Sequence, residues 1–386
     1  MTGPDRLVAA LEAKGVVLGD WRETVRTVRR ELFLPDAIEI DAEVLSRRDD
    51  PQTWSAAVYD DVAITTQVND GAPITGDEYR LPTSSTSMPS LMLEMLSLLD
   101  LKEGHRVLEL GAGTGFNAAW LAHRLGDPHV VSVDVDPALV HQARINTGRA
   151  GVRPLIECAD GDAGWPARAP YDRVIATYTV PEVPYAWVCQ SPQGRIVTPW
   201  GGSFFSHSYA VLDVHDGCAQ GRFAGYPAFM RTRNQRPPRG YLRDFLHHQE
   251  YAADTRTTLC PRSLISNADA LFYTGLALPT VWYLPVDADD DSGETTVWLL
   301  ADDRCSWAAA DYVPGADDYL VSQYGPRRLW DEAEAAYQAW QDLGRPDRDR
   351  AGLSISPRGQ YVWLDTPDHA ITGRHGAPLT HSGWMR

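Results

Sequence analysis

The run Val107-Leu108-Glu109-Leu110-Gly111-Ala112-Gly113-Thr114-Gly115 constrains this chain more than any other stretch. A short apolar strand ends in three alternate glycines, and residues 116–125 then take helical spacing. Glycine reaches positive φ and lets a backbone approach a ligand closely, so the run predicts a strand, a ligand-facing turn and a helix. The alternation continues: 129–135 is β-branched, Pro137 opens a helix to 149, and 155–159, 173–176 and 195–198 are short strands, with 184–190 helical between the last two. Strands alternating with helices predict a doubly wound, Rossmann-like α/β domain with a parallel sheet. Ligands of such sheets lie beyond the carboxyl ends of the strands.

Three successive strand ends carry ligand-type residues. Glu109 precedes Gly111, Gly113 and Gly115; Asp134 closes the second strand; Asp160-Gly161 ends the third. A carboxylate at Asp134 suits the two ribose hydroxyls of an adenosyl group, with a helix cap as its plainer role, although Asp136 fits the cap before Pro137 better. Asp160 can accept from an adenine amino group. A dinucleotide fingerprint needs G-x-G-x-x-G or A, and Phe116 occupies its sixth position; Glu109 would also sit poorly beside a pyrophosphate. The set points to S-adenosyl-L-methionine, leaving as S-adenosyl-L-homocysteine, over a nicotinamide.

At 386 residues, two domains are expected. Residues 1–82 read as a helical and mixed segment, with two helices in 5–36 stopped by Pro35 and a strand-like run at 62–68. Residues 83–235 form the ligand-binding core, and 241–386 a smaller α+β module. The core opens with the polar loop Thr83-Ser84-Ser85-Thr86-Ser87-Met88-Pro89, leading into an apolar helix; Pro89 suits its first turn and a hydroxyl just before it can cap it. In the module, 281–284, 295–300 and 306–309 read as strands, 328–342 as a helix, and 353–356 with 361–364 as a hairpin.

A formal charge of −17 disfavours a nucleic-acid partner. The basic segment Arg231–Arg239, with Arg231, Arg233 and Arg236, reads as a solvated linker or as a site for acidic peptide segments, since Arg pairs bidentately with carboxylates. Five scattered cysteines without a C-x-x-C pair argue against disulfides and zinc, leaving plain buried thiols. The acidic run 287–294 lacks the Gly and Glu of a calcium loop, and His247-His248 has no ligand-spaced partner; no metal is expected. No apolar run reaches the roughly 18 residues that span a bilayer, and the start lacks the layout of a signal peptide, so a cytoplasmic protein is expected.

The stretch 83–198 resembles the protein-L-isoaspartate O-methyltransferases. Their T-I-S-x-P-x-M loop corresponds to Ser85-Thr86-Ser87-Met88-Pro89, their G-D-G-x-x-G-W to Ala159–Trp165, and their A-P-Y-D to Ala169-Pro170-Tyr171-Asp172; Pro181-Glu182-Val183-Pro184 and the earlier RELFLPD also match. The resemblance covers about residues 5–235. It implies methyl transfer to a carboxylate, with Ser87 as the catalytic serine and Ser84, Ser85 and Thr86 completing the loop over substrate and cofactor.

The chain departs from the family in its hydroxyl-rich TSSTS loop, in Thr177-Tyr178 where the family has small residues, and in some 150 residues after the core. Thr177 and Tyr178 are then candidate substrate contacts. The combination is similar to a branch acting on ribosomally synthesised peptides, graspetides and lanthipeptides, in which an Asp side chain is methylated and closes to an aspartimide. Isoaspartate repair and a non-catalytic cofactor-binding scaffold are the alternatives. Whether the chain forms an oligomer is left open.

Overall fold

A computed structural model describes residues 3–16, 18–40, 43–246 and 252–372. The chain divides into two units: one holds 1–178, 184–199 and 209–220, the other 179–183, 200–208 and 221–386. The division interleaves the chain, whereas the change in sequence texture falls at 235–241. His247-His248 lies outside the described residues.

In the first unit, α1 (Gly3–Ala13) and α2 (Arg22–Thr27) precede a 3₁₀ turn at Arg30–Phe33. Strands β1 (Ala37–Ile40) and β2 (Glu43–Ser46), helix α3 (Pro51–Val58), and strands β3 (Ile64–Val68) and β4 (Pro82–Thr86) follow. The four strands form one sheet in the order β2-β1-β3-β4. The polar run expected to be a loop is therefore largely strand. β4 pairs antiparallel with β3, placing Ile64 opposite Thr86 and Thr65 opposite Ser85, and the alternation buries Ser84 and Thr86.

Helix α4 (Pro89–Leu99) leads into β5 (Val107–Leu110), α5 (Phe116–Leu125), β6 (Val130–Asp134), α6 (Pro137–Arg149), β7 (Leu155–Cys158), β8 (Arg173–Ala176), α7 (Tyr185–Gln190), β9 (Arg195–Trp200), β10 (Ser208–His215) and β11 (Cys218–Ala224). The strands run in the order β10-β9-β8-β5-β6-β7, and β5 through β9 pair parallel. This is the expected doubly wound sheet. All four residues of β5 are buried, as a central strand covered on both faces requires. The order reverses between β5 and β8, which puts the glycine turn after β5 at the switch point.

No hydroxyl caps α4. Its first residue is Pro89, Met88 occupies the capping position without a side-chain bond, and the free N–H of Ser90 is taken by Asp61 Oδ1 at 2.8 Å. Asp136 does cap α6, accepting from Ala138 and Leu139.

The second unit has a five-stranded antiparallel sheet. It is built from β12 (Ala253–Thr257), β13 (Val281–Asp287), β14 (Thr295–Ala301), β15 (Trp307–Tyr312) and β16 (Tyr319–Tyr324) in the order β12-β16-β15-β14-β13. The acidic run is the β13–β14 hairpin loop. Helices α8 (Pro261–Ser266), α9 (Ala268–Ala277) and α10 (Leu329–Asp342) accompany the sheet, and β17 (Ala351–Ser356) with β18 (Gly359–Leu364) forms the expected hairpin. Sequence reading missed α8 and α9, because α9 is buried from Ala270 through Leu276 and so shows no amphipathic period.

Two further expectations are corrected. Cys158, Cys189, Cys218 and Cys305 are exposed and Cys260 half-buried, all as free thiols; Cys158 and Cys218 stand at strand ends, Cys189 on α7, Cys260 just before α8 and Cys305 in the turn before β15. Nor is Arg231–Arg239 a solvated linker: Arg231 is half-buried, donates to the Gly202 carbonyl and forms a parallel bridge with Thr179. Among the described residues no helix is long and apolar enough to cross a membrane, and no cluster of His, Cys, Asp or Glu could hold a metal ion.

Candidate active site

The turn after β5 takes positive φ at Gly111, Gly113 and Gly115 (96°, 52° and 85°), a conformation costly for any residue with a Cβ. It is held from β6. Gly111 and Ala112 donate to the Val133 carbonyl, at 2.8 and 3.0 Å, and the Gly113 N–H donates to Asp134 Oδ2 at 2.8 Å. Asp134 Oδ1 accepts from the Asp136 N–H at 3.0 Å.

Glu109 lies beneath this turn, fully buried. Asn117 donates to its Oε1 at 2.7 Å and Ser132 to its Oε2 at 2.5 Å. Burial pushes its carboxyl up to about 7 against those two bonds, which favour the charged form. Both oxygens are thus engaged by protein, and Glu109 braces the strand–turn–helix unit from within. Sequence reading missed Asn117 and Ser132, which carry no motif of their own.

At the third strand end Asp160 is exposed, and its Oδ1 accepts from the Asp162 N–H at 3.0 Å. Between this end and the glycine turn lies Tyr178. A Cβ on Gly111 would come within 2.9 Å of the Tyr178 ring and 2.7 Å of Thr177 Oγ1, and one on Gly161 within 2.1 Å of the Tyr178 hydroxyl. The ring therefore reaches from Gly111 to Gly161. Thr177 Oγ1 donates to the Gly111 carbonyl at 2.7 Å. Burial, reinforced by Asp162, Asp160 and Asp134, pushes the Tyr178 hydroxyl well up, so it stays neutral. Trp187 meets its ring edge-on at 6.5 Å and donates to the Gly161 carbonyl.

The hydroxyl row reaches the turn from the other side. Ser84 Oγ is 3.5 Å and the Ser85 carbonyl 3.7 Å from where a Gly113 Cβ would stand. Its shape is set by Arg30, fully buried, which donates to the carbonyls of Val58, Asp60, Val62, Thr86 and Ser87 and to Thr86 Oγ1. Burial drags this guanidinium down to about 9, with Asp61 and Asp60 holding it up, so it remains charged at neutral pH. Its role was not legible, since its acceptors lie 28 to 57 positions away. Ser87, at the end of the row, is half-buried. Arg231, Arg233 and Arg236 belong to the second unit.

Gly111 and Gly161 make room for Thr177 and the Tyr178 ring, whereas at Gly113 the nearest atom stands 3.5 Å from a Cβ position, so the turn can take a close-lying ligand there. A family model for protein-L-isoaspartate(D-aspartate) O-methyltransferase matches residues 4–213, more than half of the chain. The chain belongs to that family. It is an S-adenosylmethionine-dependent methyltransferase. The chain is similar to the protein-L-isoaspartate O-methyltransferase of Hyperthermus butylicus, 31% identical over 56% of this chain and 83% of that one. It is also similar to that of Thermococcus onnurineus, 35% identical over 42% of this chain and 73% of that one. A solved structure named protein-L-isoaspartate O-methyltransferase matches with a TM-score of 0.53 at 21% identity, over 94% of this chain and all of that one. That likeness is one of fold. It covers the second unit too, so the residues beyond 235 do not by themselves set this chain apart from proteins of that name.

Proposed function

We propose that the chain methylates an Asp side chain of a ribosomally made, crosslinked peptide, and that the ester then closes to an aspartimide. The observation that carries carboxyl methylation is the hydroxyl row of β4 lying against the glycine turn, with Ser84 Oγ 3.5 Å from where a Cβ on Gly113 would stand. In this reading Gly111, Gly113, Gly115, Asp134, Asp160 and Gly161 hold the cofactor, and Glu109 fixes their frame. S-adenosylmethionine supplies an electrophilic methyl group.

An unperturbed Asp carboxyl has a pKa of about 3.9, so the nucleophile is already ionised and needs no general base. Ser87 donates a hydrogen bond that orients the carboxylate, while Ser84, Ser85 and Thr86 close the loop over it; the gain is one of alignment and exclusion of water. The backbone nitrogen after the ester then attacks its carbonyl, forming the C–N bond of the succinimide as methanol leaves with the amide proton. Thr177 and Tyr178 favour the peptide-tailoring reading, because they make a bulkier wall than the family's small residues. Arg231, Arg233 and Arg236 would engage acidic parts of the peptide.

The second reading is repair of isoaspartyl residues in proteins, favoured by the relatives' names and by the solved fold that matches 94% of the chain. Mass spectrometry with the cofactor and two substrates separates them. Gain of a methyl group followed by loss of methanol on a crosslinked Asp precursor alone supports peptide tailoring. Methylation of an isoaspartyl test peptide alone rejects it in favour of repair.

A further inference from the structure

The second unit contains a cavity of about 520 Å³ whose lining residues all belong to that unit. This is the size range of small-ligand sites. Its walls are of two kinds. Trp200, Phe205, Phe272 and Leu276 form an apolar side, on which Trp200 and Phe272 lie 6.3 Å apart. Arg231, Arg236, Asp302 and Glu182 bring charge to the other.

The polar side is incomplete. Of the five N–H donors of the Arg231 guanidinium, the Gly202 carbonyl takes one. Burial, and then repulsion from Arg239, pushes Arg231 down to about 10 against the pull of Asp302, so an anion beside it is electrostatically favoured. Ser203 donates to Asp302 Oδ2 at 2.6 Å, whereas Asp302 Oδ1 and Trp200 Nε1 are buried without a hydrogen-bond partner. Buried polar groups ordinarily find partners, and one unpaired acceptor and one unpaired donor on residues lining the same cavity are what a ligand's own donor and acceptor would satisfy after small side-chain rotations. The rim is fixed by side-chain amides: Gln360 takes the Val183 N–H and donates to the Pro181 carbonyl, and Gln235 accepts from the Glu182 N–H.

We infer that this cavity is a binding site for a carboxylate borne on an apolar or aromatic body with an N–H donor, the carboxylate meeting Arg231 and Arg236, the body lying on Trp200 and Phe272, and the N–H meeting Asp302. An acidic or terminal residue of a peptide and a free N-acylated amino acid share this chemistry. The inference does not depend on which carboxylate is methylated, since its test reads binding and not turnover.

Isothermal titration of the full chain uses two probes, acetyl-Leu-Asp-Phe-amide and N-acetylphenylalanine. Each has a counterpart lacking the carboxylate, the Asn peptide and N-acetylphenylalaninamide. Saturable binding of either probe, at least tenfold weaker for its counterpart and in Arg236→Gln, and lost in the cavity-filling Leu276→Trp, supports the site; the probe that binds names the source. Thermal unfolding verifies that each variant is folded, and Asp302→Asn replaces any that is not. No binding of either probe, or binding that survives both cavity variants or is lost only in Ser87→Ala, overturns it.

Discussion

Gln67 Nε2 donates to Asp136 Oδ2 across 2.9 Å. This bond ties β3, the neighbour of the hydroxyl row, to the loop that closes β6. Thr83 donates to the same glutamine, Asp136 caps α6, and Asp134, two residues earlier, holds Gly113. The hydroxyl row and the glycine turn are thus braced by one continuous set of hydrogen bonds.

Asp134→Asn should separate cofactor binding from folding. A charge-assisted bond of about 1.5–3 kcal/mol corresponds to roughly a ten- to hundredfold rise in the cofactor's Kd, with the fold retained. Equilibrium binding of S-adenosylmethionine measures it; an unchanged Kd would remove Asp134 from the cofactor site.

Ser87→Ala should bind S-adenosylmethionine normally yet lose about 10²–10³-fold in kcat, the usual effect of deleting one oriented donor in an active site. Because Ser87 does not cap α4, its stability should stay within about 0.5 kcal/mol of the parent. Activity and denaturation midpoints falling together would mean that Ser87 is structural.

Glu109 gives stability a pH dependence. Its folded carboxyl sits at about 7 against an ordinary 4.5, so between those values the native state holds a proton that the unfolded chain has released. Stability from this group is full below about pH 4.5 and is lost as pH rises through about 7. Between pH 5 and 8 the parent should lose about 2–3 kcal/mol relative to Glu109→Gln, read from denaturant titrations at both values. A difference that is flat with pH would contradict the buried, neutral carboxyl.

Arg30→Met leaves several buried carbonyls without a donor. Unfolding free energy should drop by about 3 kcal/mol or more, and activity with it. Arg30→Lys should fall between the two, since one ammonium cannot reproduce the fork. A Met variant as stable as the parent would show that water replaces the guanidinium.

The legible parts of this molecule are those whose signal is local. Gly111 through Gly115, Asp134 and the helix start at Pro137 each announce themselves within a few residues, because one strand, one turn and one helix set their roles. The illegible parts are set by distant partners. Ser132 and Asn117 matter through Glu109, and the hydroxyl row becomes a strand only because β3 pairs with it. Arg231, at the head of a stretch that reads as solvent-exposed, is drawn inward by the Gly202 carbonyl, 29 positions away.

Arg30 also bears on modularity. A fragment of residues 83–235 would retain the glycine turn, Asp134 and Ser87, but not the RELFLPD motif that Arg30 opens. It would lack Arg30, Asp61 and Gln67, which shape the hydroxyl row, hold the start of α4 and brace the loop after β6. In this chain the leading eighty residues act as the mould in which the hydroxyl row is cast, and grafting the core alone onto another scaffold would carry over the glycine turn without that form.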